Sequence, residues 1–133
     1  MHPISEVLFE VYEELYKRGQ VSFPLTRQNK EKIDTIVKTV NSNFFGVHRF
    51  PSPEIRACMY FYLILKNHPV TDGNKRLSVL WFQLYCDTTN LVPNYEIYTL
   101  DQLAVSILES AQEEREEILE LLNDLLFNIK TVE

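Results

Sequence analysis

Residues 68–76 bring together the side chains best suited to chemistry in this 133-residue chain, in the order His-Pro-Val-Thr-Asp-Gly-Asn-Lys-Arg. The imidazole of His68 can accept a proton near neutral pH. Asp72 offers a carboxylate of the kind that binds Mg²⁺ together with substrate phosphates, and the cations Lys75 and Arg76 follow it. A base, a metal ligand and two cations within one short segment indicate phosphoryl or nucleotidyl transfer, in which catalysis is largely positioning and charge stabilisation.

The same segment leads from a loop into the start of a predicted helix. Pro69 disfavours helical backbone at His68, and the next helix is expected to begin at Gly73 or Asn74. The first turn of a helix has unpaired N–H groups and a positive dipole end, which together bind anions. Gly73 can adopt positive φ and lets a ligand approach the backbone closely. The segment therefore predicts an anion cradle beside Asp72.

Each of these residues also has an ordinary structural explanation. Asp-Gly-Asn is a common turn signal, and either Asp72 or Asn74 can cap a helix. A single His before Pro often only fills a loop. Taken together, however, a base, an acid and two cations have no purely structural reason to share one turn, so we favour the functional interpretation.

Apolar residues at helical spacing predict about six helices in a single domain, residues 1–133. The first helix is expected at residues 5–18, with Ser5 as its N-cap and Val7 on its buried face. The second is expected to begin near residue 26. The third, expected at residues 53–67, is marked by an N-cap serine followed by proline at its first position.

The fourth helix, residues 74–87, is apolar almost all the way round, which predicts that it is the buried centre of the bundle. Residues 94–98 are expected to form a short extended piece. The sixth helix is expected to bury apolar residues as far as Ile129. The starts of the fifth and sixth helices are predicted by two capping boxes, Thr99 with Gln102 and Ser110 with Glu113. The expected fold class is all-α, with helices packed around a buried central helix.

Composition excludes several other classes of protein. A net charge of −6 argues against general affinity for nucleic acid. The start of the chain lacks the basic region and apolar run of a secretory signal, and the longest mostly apolar stretch is far shorter than the ~20 residues needed to cross a bilayer. Cys58 and Cys86 lie in apolar helical stretches without metal or redox spacing, which predicts buried, reduced thiols. We expect a cytoplasmic protein with no direct nucleic-acid or membrane partner.

Residues 68–76 closely resemble the signature of the Fic/Doc (Fido) family, His-x-Phe-x-Asp/Glu-Gly/Ala-Asn-Gly/Lys-Arg, which bridges a loop and a helix. Residues 51–68 are similar to the preceding helix in the small death-on-curing (Doc) branch, and residues 43–50 occupy the place of the family's flap, as a small hairpin or a docked loop. The resemblance implies transfer from ATP or another nucleotide, with Mg²⁺, to a Ser, Thr or Tyr hydroxyl of a target protein such as a translation factor. It also implies the toxin of a toxin–antitoxin pair, with an antitoxin as partner.

The resemblance also implies roles for individual residues. His68 would be the catalytic base, and Asp72 would hold magnesium. The nucleotide phosphates would be bound by Gly73, Asn74, Lys75 and Arg76. The flap residues implied to dock the target are Phe45, Gly46, Val47, His48 and Arg49.

Three departures from the signature bear on the reaction. Val70 stands where Phe is usual and should still anchor the loop in the core, with less volume. Lys75 stands where AMP-transferring members have a second Gly, and Val79 replaces their second arginine. Because the Doc branch has Lys at that position, phosphoryl transfer is favoured, although Gly73 follows the Fic pattern where Doc has Ala.

Three alternatives stay open at this point. The first is AMP transfer, and the second is a catalytically silent binding module that keeps the fold. A metal-dependent hydrolase is the third, although one His and one Asp make a sparse ligand set for zinc. The family's autoinhibitory helix contains Glu followed by Gly or Asn, and no Glu in this sequence is followed by either. Regulation is therefore expected from another chain.

Overall fold

The computed structural model describes residues 1–94 and 97–127, which form six α-helices and one short β-hairpin. This confirms the all-α prediction. The elements are α1 (Pro3–Lys17), α2 (Arg27–Val40), β1 (Asn43–Phe44), β2 (Val47–His48), α3 (Pro53–Asn67), α4 (Asn74–Thr88), α5 (Ile97–Glu109) and α6 (Arg115–Leu126), with a 3₁₀ turn at Gln112–Glu114 before α6.

Helix α3 is the centre of the bundle. Residues 57–65 are all buried, and the helix packs against α2, α4, α5 and α6. The prediction that α4 is the central helix is wrong, because only one side of α4 packs against α3. On its other side Val79 and Leu80 are half-buried and line an open cleft. Apolar residues all round α4 thus serve both the core and a binding surface.

Trp81 is the only tryptophan of the chain and lies on the buried side of α4, where it is 5% exposed. Its ring meets Tyr60 edge-to-face, with 5.6 Å between ring centroids. The indole Nε1 has no hydrogen-bond partner within residues 1–94 and 97–127. The α3–α4 contact is therefore aromatic and apolar at this level.

The N-cap of helix α1 lies three residues earlier than predicted. His2 is the N-cap, with Nδ1 accepting the N–H of Ile4 at 3.1 Å, and proline follows at the first helical position. Ser5 is instead buried inside the helix, where its hydroxyl donates to Asp34 Oδ1 at 2.7 Å. Val7, predicted to face inward, is half exposed. The prediction of Ser5 as N-cap fails because a contact with α2 takes the serine into the interior.

The buried carboxylate of Asp34 joins α1 to α2. Its Oδ1 also accepts the backbone N–H of His2 at 2.9 Å, and its Oδ2 pairs with Lys38 Nζ at 2.9 Å. Burial disfavours the charged form, but the hydrogen bonds from Lys38, Ser5 and His2 outweigh burial and lower the pKa of Asp34 from 3.8 to about 2. Asp34 thus acts as an ionised link between the two helices.

The predicted starts of the second and third helices are confirmed. Thr26 and Asn29 form a reciprocal capping box at the start of α2. Ser52 Oγ accepts the N–H of Ile55 at 3.3 Å at the start of α3, where Pro53 is the first residue. Both starts are specified by local hydrogen bonds, which is why sequence spacing alone predicts them.

The predicted starts of the last two helices are wrong. Helix α5 begins at Ile97, so Thr99 lies inside the helix and is not its cap, and residues 97–98 are helical where an extended piece is predicted. Residues 95–96 and the predicted core residue Ile129 lie outside the described part of the chain. The cap before α6 joins Ala111 and Glu114, each one residue later than in the predicted capping box, and Glu114 Oε1 accepts the N–H of Ala111 at 3.0 Å. Ser110 is occupied at the end of α5, where its hydroxyl donates to the Ile107 carbonyl.

Residues 43–50 form a hairpin, one of the two predicted alternatives. Strands β1 and β2 are antiparallel, with Asn43 opposite His48 and Phe44 opposite Val47. The turn residues Phe45 and Gly46 both have positive φ, +51° and +79°, as in a type I′ turn. All six hairpin residues are exposed.

The two cysteines are free and buried, as predicted. Burial raises the pKa of each thiol to about 12, so neither is a nucleophile near neutral pH. None of the described helices combines the length and apolar character required of a membrane span.

Candidate active site

The loop between α3 and α4 begins at His68, which ends α3 in the left-handed conformation with φ +46° and ψ +61°. Asn29 of α2 donates from Nδ2 to the Pro69 carbonyl at 2.9 Å, in a buried contact. Val70 is buried in the core, as predicted for the residue that replaces Phe. These two anchors fix the loop from below and leave the His68 side chain exposed.

The side chain of Asn74 closes the loop on itself. Its Oδ1 accepts the N–H of Val70 at 3.0 Å, and its Nδ2 donates to the Val70 carbonyl at 2.8 Å. Because both Val70 contacts fix the orientation of the amide, Nδ2 is also the donor in its 3.2 Å contact with His68 Nδ1. The neutral ring of His68 then carries its proton on Nε2. The side chain of Asn74 is thus committed to the loop, and only its backbone N–H is left for a phosphate.

The first turn of α4 supplies the predicted anion cradle. Gly73 is its N-cap, with φ +86°, and the first helical bond runs from the Leu77 N–H to the Gly73 carbonyl. Within the described residues, the N–H groups of Asn74, Lys75 and Arg76 have no acceptor. These three amides at the positive end of a 15-residue helix are available to a phosphate.

Gly73 is required for two separate reasons. Its positive φ is unfavourable for residues with a side chain. A Cβ at this position would also lie 2.4 Å from Cγ1 of Val21. The glycine therefore permits both the turn and the close packing of residues 20–23 against it.

Asp72 lies beside this cradle. Its Oδ2 accepts the N–H of Ser22 at 2.9 Å, which leaves Oδ1 without a protein partner in the described part of the chain. The Tyr12 hydroxyl donates to the Phe23 carbonyl at 2.6 Å and lies 3.4 Å from the Asp72 carbonyl. Burial, and to a lesser degree Asp72, raises the pKa of Tyr12, so the hydroxyl stays protonated as a donor.

The two cations of the motif are held to neighbouring elements. Nη1 of Arg76 donates to the carbonyl and to Oε1 of Gln20, at 2.7 and 3.0 Å. Nζ of Lys75 lies 3.5 Å from Oδ1 of Asp101 on α5. Arg76 keeps its Nε and Nη2 edge for a ligand, while Lys75 is a half-exposed side chain whose ion pair contributes little in water.

These groups open into one cleft of about 700 Å³. This volume lies within the range of roughly 300–1,000 Å³ that is usual for ligand sites. Residues 72–76 form its floor, and the apolar side chains of Leu15, Val79 and Leu80 form part of its wall. His68 does not line the cleft, but the Asn74 amide connects it to the cradle. The cleft thus combines an anion site with an apolar surface for a flat organic group.

No set of three His, Cys, Asp or Glu side chains within the described residues is arranged to hold a metal. Asp72 alone, with one free oxygen beside phosphate-binding amides, fits Mg²⁺ that is shared with substrate phosphates, since this ion usually keeps only one or two protein carboxylates.

Sequence reasoning missed the segment that supports the motif. Residues 20–23, here called the brace, contact Asp72, Gly73 and Arg76 through hydrogen bonds and packing. The one signal was Val21, an apolar residue between the polar residues Gln20 and Ser22. Asp101 and Asn29 were missed as well, since nothing in their local sequence indicates a role at the site.

The hairpin predicted to dock a target is attached two helical turns before His68. Asn41 donates to the Tyr60 hydroxyl at 2.7 Å, and Arg56 donates to the Phe50 carbonyl at 2.7 Å. Eight residues of α3 separate Tyr60 from His68, about 12 Å along the helix axis. The Arg49 N–H donates to the Ser42 carbonyl at 2.9 Å. Hydrogen-bonded and non-hydrogen-bonded pairs alternate along an antiparallel ladder. Residues 42 and 49 form a hydrogen-bonded pair, so the next pair, residues 43 and 48, is not hydrogen-bonded, and its backbone groups point away from the partner strand.

The exposed tip of the hairpin is aromatic. Phe44 and Phe45 are 74% and 91% exposed and meet edge-to-face with 4.4 Å between centroids. Val47 and His48 are also exposed, and the Arg49 guanidinium lies 5.1 Å from the Phe50 ring centroid. An unpaired strand edge with exposed aromatics is suited to bind an extended peptide.

Comparison with known protein families gives a match to the family described as the Fic/DOC family, over residues 4–86. No curated protein and no solved structure gives a significant match. The matched range is more than half of the chain and contains α1, the brace, the hairpin, α3, the loop and most of α4. With its motif, its helical fold and this match, the chain belongs to the Fic/DOC family.

Proposed function

We propose that this protein transfers a phosphoryl group from ATP, or a related nucleoside triphosphate, to a side-chain hydroxyl of a target protein. Members of the Fic/DOC family are generally transferases that modify proteins with a nucleotide co-substrate. The observation that carries the proposal is the first turn of α4, where three unpaired amides, Asp72 and the free edge of Arg76 adjoin one cleft. His68 is connected to that turn through Asn74.

In the proposed reaction, the target hydroxyl oxygen forms a bond to the γ-phosphorus. The bond from that phosphorus to the bridging oxygen breaks, so ADP leaves, and the hydroxyl proton passes to His68. The lone pair of the neutral ring lies on Nδ1, so proton acceptance there requires the 3.2 Å contact with Asn74 to open. Asn74 keeps its two bonds to Val70 when this happens, and the loop retains its shape.

The chain's other residues hold charge and geometry. The amides of the first turn and Arg76 would bind the phosphate oxygens, where charge builds up during transfer. Mg²⁺ bound through Asp72 and the phosphates would offset part of that charge. The brace keeps Asp72 and Arg76 in place, because it binds one edge of each and leaves the other edge free.

Lys75 supports phosphoryl over AMP transfer. It lies on the first helical turn and lines the cleft, where its side chain takes space that a deeply bound α-phosphate would need. Val79, which also lines the cleft, supplies no second arginine for a longer phosphate chain. A compact ammonium beside the cradle instead suits a terminal phosphate.

AMP transfer is the second candidate, and one contact favours it. Asp101 pairs with Lys75 at 3.5 Å, and if that pair persists when nucleotide binds, the amides of the first turn stay open to an α-phosphate. The choice between the two reactions therefore depends on where Lys75 lies during turnover.

The target and the regulator belong to the same proposal. The outward backbone groups of Asn43 on one edge of the hairpin and of His48 on the other support docking of an extended target segment. A peptide of about four residues, at roughly 3.3 Å per residue, spans the ~12 Å from the level of the hairpin anchor Tyr60 to His68. An antitoxin acting in trans is proposed because no Glu of this sequence is followed by Gly or Asn.

The deciding experiment uses ATP labelled separately at the α and γ positions, with candidate bacterial protein targets. Label should pass to a target from γ-labelled ATP only, and mass spectrometry should find a bare phosphate. An adduct that contains adenosine would replace the kinase assignment with AMP transfer. If neither label is transferred to any target in the presence of Mg²⁺, the silent binding module becomes the better description.

The role of Lys75 has its own test in the same assay. Lys75→Ala should lower phosphoryl transfer, whereas Lys32→Ala, which removes an exposed lysine from α2 outside the cleft, should leave it unchanged. Asp101→Asn should raise transfer by releasing the ammonium toward the phosphate. Equal rates in Lys75→Ala and wild type would show that Lys75 does not contribute to transfer.

A further inference from the structure

A second, smaller pocket lies beside the last turns of α3. Its α3 residues precede His68 in the chain, whereas the loop residues of the cleft follow His68. Its volume is about 210 Å³, and it is lined by Tyr62, Leu63, Lys66, Asn67, Gln112 and Arg115. This volume is below the roughly 300 Å³ at which sites for drug-sized ligands begin. The pocket, called here the Lys66–Arg115 pocket, therefore fits a single side chain or a small ion and not a nucleotide.

The charge of this pocket is opposite to that of the surface around it. Arg115 is the one cation among residues 112–117, and it is half-buried while Glu113, Glu114, Glu116 and Glu117 are exposed. Its guanidinium contacts Met59 Sδ at 4.0 Å and has no ion pair with an acid within the described residues. Arg115 thus turns from an acidic surface into a cavity that contains a second cation.

Lys66 has only part of its hydrogen-bonding capacity occupied. Its ammonium donates to the Ser110 carbonyl at the end of α5, which leaves two of three donors free. Two like charges that share a small cavity repel each other, and an anion between them relieves that repulsion. An arginine fork with a lysine beside it is the arrangement that binds carboxylate or phosphate oxygens.

Neutral donors complete the lining. The Tyr62 ring is buried at the pocket wall, and Gln112 offers a side-chain amide. Burial raises the pKa of Tyr62, while the nearby charge of Arg115 opposes that rise and Glu114 adds to it. Glu114 is an acid close to the lining, and its Oε1 already accepts the Ala111 N–H. The Tyr62 hydroxyl therefore remains a protonated donor beside the guanidinium.

The pocket lies next to His68, the residue proposed to receive the target hydroxyl. Asn67 lines it and immediately precedes His68. Tyr60, Leu63 and Asn67 are three and four residues apart, so the hairpin anchor and the pocket share one face of α3. Because Asn67 and His68 are both exposed, a target segment whose hydroxyl reaches His68 lies beside the pocket.

We propose that the Lys66–Arg115 pocket binds an acidic side chain of the target, within a few residues of the hydroxyl that is modified. This assignment deepens the proposed function and rests on His68 receiving that hydroxyl. Arg115 would then be a specificity residue, which contacts the target but not the reacting atoms.

A binding experiment tests the pocket without requiring transfer. The probe is the peptide acetyl-Ser-Gly-Glu-Gly-amide, with its Gln counterpart as control, titrated into the ¹⁵N-labelled protein and followed by NMR. The Glu peptide should shift the Arg115 Nε–H and Asn67 N–H signals, and the Gln peptide should bind at least tenfold more weakly. Equal binding of the two peptides, or shifts confined to residues 72–76, would overturn the proposal.

Variants distinguish specific binding in the pocket from general electrostatic attraction between the Glu peptide and the protein. Arg115→Gln should lose the preference for Glu, Arg115→Lys should keep part of it, and Lys32→Gln should keep all of it, with circular dichroism confirming that each variant is folded. A second titration uses inorganic phosphate in place of the peptide. If it saturates the Arg115 signal as tightly as the Glu peptide does, the pocket binds free anions and the assignment to a target side chain is wrong.

Transfer assays then test the connection to catalysis. Sites modified by the wild-type protein should have Asp or Glu within about three residues, a span of roughly 10 Å, and Arg115→Gln should raise KM for such targets more than it lowers kcat. If no transfer is found at all, the proposed function fails while the peptide titration still decides the pocket. If transfer occurs without any acidic preference, the pocket assignment fails and the proposed function stands.

Discussion

At the scale of single residues, each polar group of the loop between α3 and α4 has one side held by the protein and another left open. Ser22 holds one oxygen of Asp72, Gln20 holds one nitrogen of Arg76, and Asn74 holds one nitrogen of His68. For Asp72 and Arg76 the open sides are those that a phosphate or its metal ion would meet, whereas His68 must release its contact with Asn74 to accept a proton. Such fixed, partly satisfied groups need little reorganisation when a charged substrate binds.

His68 is expected to be essential for transfer and unnecessary for nucleotide binding. His68→Ala should lower kcat by about 100-fold or more, the usual contribution of a general base. ATP affinity measured by calorimetry should change little, because His68 does not line the cleft. Lys32→Ala, an exposed change on α2 outside the cleft, is the control and should keep kcat. Undiminished turnover in His68→Ala would refute the assignment.

Gly73 and Val21 should show energetic coupling. Gly73→Ala adds a Cβ that would lie 2.4 Å from Val21 Cγ1, in addition to the strain of positive φ. In the wild type this should cost about 2–4 kcal/mol of unfolding free energy, and in a Val21→Ala background only about 1–2 kcal/mol, the cost of the left-handed conformation. Urea unfolding of the four proteins gives the coupling.

Gly19 offers a matched control for this cycle. Its φ is +70°, but a Cβ there meets nothing within 4 Å. Gly19→Ala should therefore cost only the conformational strain and show no coupling to Val21→Ala. Additive effects of Gly73→Ala and Val21→Ala would mean that the brace shifts easily, and that the close contact does not constrain the loop.

The motif predicted a set of candidate site residues, but it did not predict the contacts that hold them. His68, Asp72 and residues 73–76 are adjacent in the chain, so their proximity follows from one motif. Their supports come from the brace, about 50 residues earlier in the chain, and from Asp101 on α5. Such contacts depend on how helices pack, and no local spacing records them.

At the scale of elements, the hairpin departs most clearly from ordinary stability rules. Phe45 has positive φ, which is rare and unfavourable for a bulky residue. The same residue is almost fully exposed, so it gains no core packing in return. An unfavourable and exposed aromatic residue at the tip of an open strand edge is consistent with selection for contact with a partner.

Replacing Phe45 should therefore separate stability from function. Phe45→Asn places a residue that tolerates positive φ at the turn, so the melting temperature should stay unchanged or rise. Modification of a protein target should fall several-fold, while ATP affinity stays the same. Val92→Asn, which removes another highly exposed apolar side chain, should affect neither property. A fall in ATP affinity for Phe45→Asn would indicate that the hairpin supports the cleft instead of the target.

Helices whose starts are specified by local hydrogen bonds were predicted well. Helix starts and positions that depend on packing between helices were not. The starts of α2 and α3 follow from hydrogen bonds between residues three apart. The start of α1 was misplaced because Ser5 bonds to Asp34 across 29 residues. The position of α4 was misjudged for a related reason, since an apolar surface that lines a cleft cannot be told from one that lines a core by composition.

At the scale of the whole molecule, α1 and the brace depend on one buried carboxylate, Asp34. Asp34 ties the start of α1 to α2, and the brace follows the other end of α1. The site therefore relies on a helix whose attachment includes a carboxylate with its pKa lowered to about 2. Acid should weaken this attachment as the pH falls toward about 2, where the Asp34 carboxylate becomes protonated.

The pH dependence of stability should reveal this link. Because the folded pKa of Asp34 is below its unfolded value of 3.8, its stabilisation is present above about pH 4 and is lost as the pH falls toward about 2. The difference corresponds to roughly 2 kcal/mol. Asp34→Asn should lower unfolding free energy at pH 7 and much less at pH 2, as measured by urea titration. An equal effect at both pH values would contradict the assignment, and Glu10→Gln, an exposed change on α1, should have little effect at either.

The isolated indole of Trp81 makes the core of this protein its own optical probe. With no hydrogen bond to Nε1 within the described residues and almost no exposure, the ring is surrounded by Tyr60 and apolar side chains, so its fluorescence should be shifted to short wavelength. Excitation absorbed by Tyr60 should also be transferred to it over 5.6 Å. Because the chain has one tryptophan, a change in its emission would report a change at the α3–α4 contact, so events at the brace or hairpin that leave this contact intact should not alter it.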